Sequence, residues 1–224
     1  MSHLSFVMTA DGSKTIFNEK IGENYHSRHG ALQESQHVFL KSGLIHFLEK
    51  HQVTKASVLE VGFGTGLNFL VTADYCLKNK IELDYTGIEA YPLNVEMIAQ
   101  TGYGDYIPDS LWNNFLNKYP KALNEPSEID TLCSVRIIEK ELLQFTSQKQ
   151  FDVIYFDAFA AIHQAEMWNL DSLTHISKFI KPGGIFVTYA ITGELKRTMK
   201  SLGFSIEKAP GAPGKREMLR ASKL

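Results

Sequence analysis

The sequence predicts an α/β protein with a doubly wound, Rossmann-like sheet and a small N-terminal β-hairpin and helix extension. Three observations predict this class. A short apolar strand, a glycine-rich turn and a mostly apolar helix follow one another over residues 57–73. Further apolar strands alternate with helical stretches up to residue 202. The last twenty residues contain two strands joined by Ala, Pro and Gly, which suits a terminal antiparallel hairpin.

Length and composition indicate one structural unit. The 224 residues, 44% of them hydrophobic, suffice for one packed core. We predict the hairpin and helix extension over residues 1–50 and the main α/β domain over residues 51–224. No apolar run is long enough to span a membrane, and the first residues lack the pattern of a signal peptide. Cys76 and Cys133 lack the spacing of metal ligands, so we expect two buried thiols in a cytoplasmic protein without a metal.

The segment before the main domain combines a hairpin with a polar, aromatic stretch. Phe6–Thr9 and Thr15–Phe17 flank the turn signal Asp11–Gly12–Ser13, so residues 1–23 are predicted to form a β-hairpin. Residues 25–35 are polar and aromatic and lead into a helix whose apolar face is Val38, Phe39, Leu44, Ile45, Phe47 and Leu48. The histidines and arginine of residues 25–30 are candidates for a substrate site. A solvated loop is the alternative.

The glycine-rich turn is the most informative stretch of the chain. Gly62, Gly64 and Gly66 follow a buried strand at alternating positions, whereas the dinucleotide fingerprint places its third glycine one residue later. Glu60 stands two residues before the first glycine. This combination resembles motif I of S-adenosylmethionine (SAM)-dependent methyltransferases, in which the acid and the loop hold the methionine part of the cofactor. A turn without a ligand and a nicotinamide or flavin site are the alternatives.

The next two strands each end in acidic residues. The strand Ile81–Glu89 ends in Glu89, at a spacing from the glycines that suits an acceptor for ribose hydroxyls, typically about 20 residues. Residues 91–127 are predicted to be mainly helical, with Pro92 in a first turn and with Pro120 and Pro126 at the exit. A third strand over 131–138 is followed by Glu139 and Glu141, and the pattern alone does not show which of the two faces the adenine.

The fourth strand, Phe151–Phe159, carries Asp157 at its mouth. Ligands of open α/β sheets bind outside the carboxyl ends of the strands, so Asp157 is expected on the same rim as the glycine turn and Glu89. A covering loop over 160–168, a helix over 169–180 and a turn at Lys181–Gly184 are predicted next. A fifth strand over 185–189, a helix over 192–202 and the terminal hairpin complete the chain. The hairpin is locally basic through Lys208, Lys215, Arg216, Arg220 and Lys223.

Four stretches together resemble one family. They are Tyr25–Ser35, Gly62–Leu70, Asp157–Ala160 with Met167–Trp168, and Gly214–Leu219. They are similar to the methyltransferase domain of the bifunctional tRNA wobble-uridine enzymes called MnmC, especially to its stand-alone form. The similarity covers nearly the whole chain.

The resemblance implies methyl transfer from SAM to the amine of 5-aminomethyl-(2-thio)uridine at the wobble position of tRNA, leaving S-adenosylhomocysteine. It implies a separate oxidoreductase acting earlier, because 224 residues are too few for the flavin module; no FAD and no metal are expected. Asp157 is the implied catalytic residue. The implied cofactor-binding residues are Glu60, Gly62, Phe63, Gly64, Thr65, Gly66, Asn68, Glu89, Glu141 and Asp157. The implied substrate residues are Tyr25, His26, Arg28, Lys215 and Arg216.

The chain departs from the family pattern at three positions. Ala161 and Ala165 stand where prolines are usual, which predicts a looser loop over the site. Lys140 replaces a usual glycine directly before Glu141, the residue implied to contact the adenine. A small-molecule amine methyltransferase and a non-catalytic SAM- or RNA-binding module are the alternative functions. Turnover on tRNA compared with free amines distinguishes them.

Overall fold

The N-terminal residues form a small sheet in the computed structural model, which describes residues 3–224. Its antiparallel strands are β1 (Leu4–Met8), β2 (Lys14–Asn18) and β3 (Glu23–Asn24). Strands β1 and β2 pair in full register, and Gly12 in their turn has a φ of 83°. The predicted hairpin is therefore confirmed, except that Met1 and Ser2 lie outside the described residues. The sequence does not predict β3, because two residues leave no periodic signal.

A continuous helical run connects this sheet to the main domain. It consists of α1 (Ala31–Glu34), a π-helical segment (Ser35–Ile45) and α2 (His46–His51). The predicted apolar face is buried at Val38, Phe39 and Leu44. A Cβ on Gly43 would lie 2.9 Å from both Tyr155 and Val187, so the run packs closely against the central sheet. The wide π-helical turn is not predicted from the sequence.

The remaining elements alternate between strands and helices. In chain order they are β4 (Lys55–Val61), α3 (Leu67–Lys78), β5 (Glu82–Glu89), α4 (Val95–Gln100), a 3-10 turn (Tyr103–Tyr106), α5 (Asp109–Ala122), β6 (Ser127–Asp130), β7 (Cys133–Glu139), a 3-10 turn (Leu142–Gln144), β8 (Phe151–Phe156), 3-10 turns at Ala165–Trp168 and Ser177–Phe179 that flank α6 (Leu170–Ile176), β9 (Ile180–Thr188), α7 (Gly193–Ser201), β10 (Phe204–Pro210) and β11 (Glu217–Lys223).

The central sheet has eight strands in the order β10-β11-β9-β8-β4-β5-β7-β6. Strands β7, β5, β4, β8 and β9 are parallel, and the two edges are antiparallel. The chain winds outward from β4 through β5 and β7, and then returns to β8 on the other side of β4. This confirms the predicted doubly wound α/β class. It also places the topological switch point between β4 and β8, where such sheets bind ligands.

Two apolar clusters cover the two faces of the sheet. One joins the π-helical segment, α3 and α5 to the sheet, and includes Phe39, Phe69 and Phe115. The other joins α6 and α7 to the opposite face, and includes Leu173 and Met199. Both faces of the parallel strands are therefore buried, which explains their nearly continuous apolar sequences.

The structure corrects two predictions about proline and glycine. Pro92 precedes helix α4 instead of lying in its first turn, because Asn94 caps that helix by accepting from Met97 N at 2.9 Å. The predicted turn at Lys181–Gly184 lies inside β9. It is an irregularity of this strand, between the two residues of β9 that pair with Phe151 and Val153.

Two further differences concern residues 120–130. Pro120 lies inside α5, because buried Tyr119 and Ala122 hold the last turn in the core. The edge strand β6 was not predicted, because it follows Pro126 directly and contains only one apolar residue, Ile129.

Candidate functional site

A cleft of about 1190 Å³ opens at the topological switch point of the sheet. Its lining includes residues from the glycine turn after β4, the end of β5, the rim after β7 and the mouth of β8. The extension contributes residues 23–29 to its outer wall. Single small ligands occupy pockets of roughly 300–1,000 Å³, so this cleft has room for a small cofactor and part of a second molecule.

Gly62 and Gly64 form the wall of the cleft that is best suited to a ligand. Their φ values are 83° and 52°, which L side chains rarely adopt. A Cβ on Gly62 would collide with the backbone carbonyl of Asp157. A Cβ on Gly64 would lie 2.9 Å from the ring of Tyr25. The absence of side chains therefore keeps this part of the cleft open, as a cofactor lying against the backbone requires.

The other residues of the glycine turn face inward. Phe63 borders the cleft, but it is only 2% exposed and packs among the rings of Phe69, Phe115 and Tyr119. Gly66 caps the start of α3 at a φ of 79°. Phe63 and Gly66 therefore shape the glycine turn.

Glu89 lies on the same wall as the glycines. Its Oε2 accepts from Gly64 N at 2.9 Å, and its Oε1 accepts from Tyr91 N at 3.0 Å. Burial raises the pKa of Glu89, while the hydrogen bonds from Tyr91 and Gly64 lower it. Each carboxylate oxygen can accept a second hydrogen bond, so Glu89 can hold the loop and still accept from hydroxyl groups of a ligand.

Glu139 and Glu141 both lie exposed on the rim of this wall, on either side of Lys140. Glu139 is in register with Glu89 across the pairing of β5 and β7. Both acids therefore lie at the same side of the cleft as Glu89.

Asp157 occupies the centre of the cleft at the mouth of β8. Its Oδ2 accepts from Asn68 Nδ2 at 2.8 Å, and within residues 3–224 its Oδ1 has no hydrogen-bond partner. Burial raises the pKa of Asp157 well above its usual range, and the nearby Glu34 raises it further. The hydrogen bond from Asn68 and the charge of Lys215 lower it. The site thus contains a half-buried carboxyl group with one oxygen that has no partner among residues 3–224.

Glu60 and Thr65 were predicted to bind the cofactor, and both lie behind the cleft. Glu60 is fully buried, and its two oxygens accept from Asn68 Nδ2 at 2.7 Å and from the hydroxyl of Tyr85 at 2.8 Å. Thr65 is also fully buried, and its hydroxyl lies 3.4 Å from the imidazole of His26. Neither side chain is part of the cleft lining.

Two further carboxyl groups line the cleft near Asp157, and the sequence analysis does not include them among the site residues. Glu34 is 5% exposed and accepts from Ser27 N at 3.0 Å and from Lys215 Nζ at 3.3 Å. Glu23 accepts from Ala160 N at 2.8 Å. Glu34 belongs to a stretch that carries the family resemblance, and that was its only available signal.

Lys215 belongs to the connection between β10 and β11, and its side chain lines the cleft. Besides its ion pair with Glu34, its Nζ lies 3.8 Å from the centre of the Tyr189 ring. This cation–π contact and the ion pair fix the ammonium group beside Asp157. Lys215 therefore has partners inside the cleft, unlike a side chain that is free to contact phosphates.

Tyr25 and His26 have distinct environments. The Tyr25 ring lines the cleft and packs edge-on against Phe159, with ring centres 5.2 Å apart. His26 is 8% exposed and hydrogen-bonds to Thr15, and burial lowers its pKa to about 4. His26 is therefore neutral at pH 7 and connects the extension to the glycine turn.

Arg28 and Arg216 are two exposed cations of the predicted substrate side. Arg28 borders the cleft, whereas Arg216 lies outside it beside Lys215. Neither forms an ion pair with any residue that the structure describes. Lys208 and Arg220, in contrast, pair with Glu217 and Glu207, which reduces the positive charge of the terminal hairpin.

The loop over residues 158–168 is fastened at several points despite Ala161 and Ala165. Trp168 Nε1 donates to Phe159 O at 2.7 Å, and the Tyr189 hydroxyl donates to Ala158 O at 2.9 Å. Its tip, Ile162, is 87% exposed. The loop is therefore anchored at its base and protrudes at its tip.

Cys76 and Cys133 are buried free thiols, as predicted. Among residues 3–224, no cluster of three His, Cys, Asp or Glu side chains is arranged to hold a metal ion. No helix in that range has the length and apolarity needed to cross a membrane.

The chain belongs to the S-adenosyl-L-methionine-dependent methyltransferase family, whose sequence profile matches residues 108–224, just over half of the chain. It is similar to the tRNA 5-methylaminomethyl-2-thiouridine biosynthesis bifunctional protein MnmC of Leptospira interrogans, with 29% identity over 96% of this chain and 35% of that protein. The MnmC protein of Nitrosospira multiformis is 26% identical over 92% of this chain and 35% of its own length. These relatives confirm the resemblance, and the chain spans about a third of their length.

Solved structures agree with this assignment of fold. MNMC2 from Aquifex aeolicus superposes with a TM-score of 0.78 over 98% of this chain and 70% of that chain, at 23% identity. The magnesium protoporphyrin IX methyltransferase of Synechocystis, solved with bound SAM, gives a TM-score of 0.54 at 12% identity, over 87% of this chain and 81% of that one. The Rossmann-like methyltransferase fold predicted from the sequence is confirmed.

Proposed function

We propose that this chain transfers a methyl group from SAM to the amine of 5-aminomethyl-(2-thio)uridine at the wobble position of tRNA. The observation that carries the proposal is the position of Asp157, between the glycine wall of the cleft and the wall formed by the extension. The MnmC relatives act in 5-methylaminomethyl-2-thiouridine biosynthesis, as their name states, and support the substrate. A tRNA substrate implies a cytoplasmic location.

The proposed cofactor side is the wall that carries the glycines and Glu89. Gly62 and Gly64 leave the backbone accessible to the cofactor. Glu89 accepts hydrogen bonds from its ribose hydroxyl groups, and Glu139 or Glu141 lies toward its adenine. When bound, SAM supplies a methyl group already activated on a sulfonium, so the transfer needs neither flavin nor metal. The bifunctional relatives carry a second activity, and we propose that the preceding oxidoreductase step takes place outside these 224 residues.

The proposed amine side is acidic. The carboxyl groups of Glu23, Glu34 and Asp157 lie on this side, and Lys215 is paired with Glu34, so the surroundings of Asp157 favour a cationic amine. An alkylamine with a pKa of about 10 is mostly protonated at pH 7, and only the neutral form attacks a methyl group. Asp157 orients the amine and accepts its proton, and burial assists because it raises the pKa of this carboxyl group.

We predict that Glu89 supports cofactor binding through the ribose hydroxyls. Glu89→Ala should weaken SAM binding by roughly 1.5–3 kcal/mol, the scale of hydrogen bonds to a charged group. Glu82→Ala is the matched control, because Glu82 begins the same strand at its far end and pairs with exposed Lys55. Calorimetry should show unchanged affinity in the control. Affinity within twofold of wild type in Glu89→Ala would reject the contact.

We predict that Arg28 and Arg216 contact the tRNA backbone. Replacing both with Glu should raise the KM for tRNA and flatten its dependence on salt, because each lost phosphate contact lowers the slope by about one. SAM affinity should not change. The matched control is Lys200→Glu, an exposed cation on α7 that does not line the cleft. Wild-type KM and salt dependence in the double variant would place the RNA surface elsewhere.

Methyl transfer to total tRNA, measured with isotopically labelled SAM, tests the proposed function. The tRNA should come from cells whose wobble uridines carry the free aminomethyl group. We expect turnover on this tRNA and none on small alkylamines at equal concentration. Turnover on the amines alone would indicate a small-molecule methyltransferase, and SAM binding without turnover would indicate a binding module.

A further inference from the structure

A chain of buried hydrogen bonds runs beneath the cleft from β5 to Asp157. The Tyr85 hydroxyl donates to Glu60 Oε2 at 2.8 Å. Asn68 Nδ2 donates to Glu60 Oε1 at 2.7 Å and to Asp157 Oδ2 at 2.8 Å. Tyr85 and Glu60 are fully buried, and Asn68 is 2% exposed. One side-chain amide group is therefore shared between two carboxyl groups.

The orientation of Asn68 is unfavourable for the amide itself. Its two N–H groups serve the two carboxyl groups, while its Oδ1 is buried without a partner among the described residues. Leaving a buried carbonyl unpaired costs free energy. The opposite orientation would place that oxygen against the oxygens of both carboxyl groups. The observed arrangement thus favours the two carboxyl groups at the expense of Asn68.

The surroundings of Glu60 separate it from the cleft. It shares a face of β4 with Ala56 and Val58, both of which belong to the apolar cluster that includes residues of α3. Both of its oxygens have partners inside the chain. The side chain is therefore placed to hold Asn68, and not to reach a bound molecule.

We propose that Asn68 and Glu60 are positioning residues for Asp157. Glu60 fixes the amide of Asn68, and this amide holds Oδ2 of Asp157 so that Oδ1 remains free for the amine. The inference rests on the proposed function and changes the role of Glu60 from cofactor ligand to support of the reacting carboxyl group. Tyr85 completes the chain by holding the far oxygen of Glu60.

The hydrogen bond from Asn68 also acts on the pKa of Asp157 and lowers it. The charged or titratable groups that act on Asp157, or on which it acts, are Tyr85 on β5, Glu60 on β4, Glu23 on β3, Glu34 on α1, Lys215 before β11 and Tyr189 after β9. Among them, only Lys215 favours the carboxylate by its charge. Removing the amide of Asn68 deletes the hydrogen bond that also favours the carboxylate, so the pKa of Asp157 should rise.

The first experiment uses Asn68→Ala and follows the carboxyl group directly. Infrared titration, with the Asp157 band assigned by its loss in Asp157→Asn, should show the midpoint moved upward by about one pH unit. Single-turnover methylation should slow by about 10- to 100-fold, because a misplaced reacting group or a lost supporting contact reduces rates on this scale. The KM values should change little. The low-pH limb of the rate profile should move to higher pH with the carboxyl group.

The second experiment separates a supporting role of Glu60 from cofactor binding. Glu60→Gln keeps an oxygen that accepts from Asn68, so turnover should stay within about threefold of wild type. Glu60→Leu removes that acceptor and should slow turnover about tenfold or more. SAM affinity, measured by calorimetry, should remain within about twofold in both variants. A tenfold loss of affinity in Glu60→Gln would make Glu60 a cofactor ligand and overturn the proposal.

Tyr85→Phe and Tyr155→Phe form a matched pair for the case that the Asn68 and Glu60 variants do not fold. Both tyrosines are fully buried, their rings are 6.1 Å apart, and the Tyr155 hydroxyl bonds to Thr72 instead of Glu60. Tyr85→Phe should slow turnover several-fold, and Tyr155→Phe should not. Equal rates in the two variants, or an unmoved Asp157 titration in Asn68→Ala, would overturn the proposal. A wild-type protein inactive on tRNA would instead count against the proposed substrate, since the titration needs no substrate.

Discussion

Replacing Asp157 with Asn is expected to lower the turnover number at least about a hundredfold while leaving SAM affinity nearly unchanged. Asn keeps the shape of the side chain and loses the negative charge and the capacity to accept a proton. General-base assistance contributes about two to four orders of magnitude to a rate. The loop over residues 158–168 lies beside this carboxyl group and lines the same cleft. We expect the loop to close over the amine and exclude water during the reaction.

The pH dependence identifies the role of Asp157. More of the amine is neutral at higher pH, so the difference between wild type and Asp157→Asn should shrink as pH rises. Single-turnover rates across pH measure this difference. Asp171→Asn, an exposed aspartate in the first turn of α6, is the matched control and should behave as wild type. Equal rates and equal pH profiles in Asp157→Asn and wild type would reduce Asp157 to a residue that shapes the turn.

Gly64→Val is expected to abolish SAM binding. A Cβ at this position lies 2.9 Å from the Tyr25 ring, and the two further methyl groups of valine would fill the adjoining part of the cleft. The φ of 52° adds strain, because β-branched residues strongly disfavour positive φ. Calorimetry on the folded variant measures the loss.

Gly12→Val is the matched control for the strain. Gly12 has a φ of 83°, and nothing lies within 4 Å of a Cβ built there. Both variants should therefore lose stability in thermal unfolding, but Gly12→Val should retain SAM affinity. Wild-type affinity in a folded Gly64→Val protein would contradict the cofactor wall.

The parallel sheet and the rim of the cleft are predictable from the sequence. The apolar strand before Gly62 and the acids at the ends of two later strands mark the carboxyl edge without any long-range information. Glu89 and Asp157 accordingly lie on one cleft. The rule that ligands bind beyond the strand ends is enough to predict the positions of both residues.

The side-chain contacts around Asp157 are not predictable from the sequence in the same way. Glu60 is close to the glycines in sequence, but the alternation of side chains along β4 turns it beneath α3, and the motif alone does not reveal its partner Tyr85. Glu34 and Lys215 are 181 residues apart, and only the packing of the extension on the terminal hairpin brings them together. Contacts of this kind leave no local pattern.

The assignments of Lys215 and His26 show the same limit. Both belong to stretches with a clear family resemblance, and the sequence indicated that they face the substrate. Their ion pair and burial, respectively, emerge only from the folded chain. Both side chains border the cleft, and the resemblance alone does not show how each of them is held there.

Mass spectrometry of nucleosides tests the central claim most directly. Wobble-uridine nucleosides from aminomethyl-bearing tRNA should be compared before and after incubation with SAM and either the wild-type protein or Asp157→Asn. We predict that the wild-type protein converts the aminomethyl nucleoside to its methylaminomethyl form, with the gain of one methyl group on the amine. Asp157→Asn should convert little of it in the same time. A wild-type protein that leaves this nucleoside unchanged, or methylates another position of the tRNA, would contradict the claim.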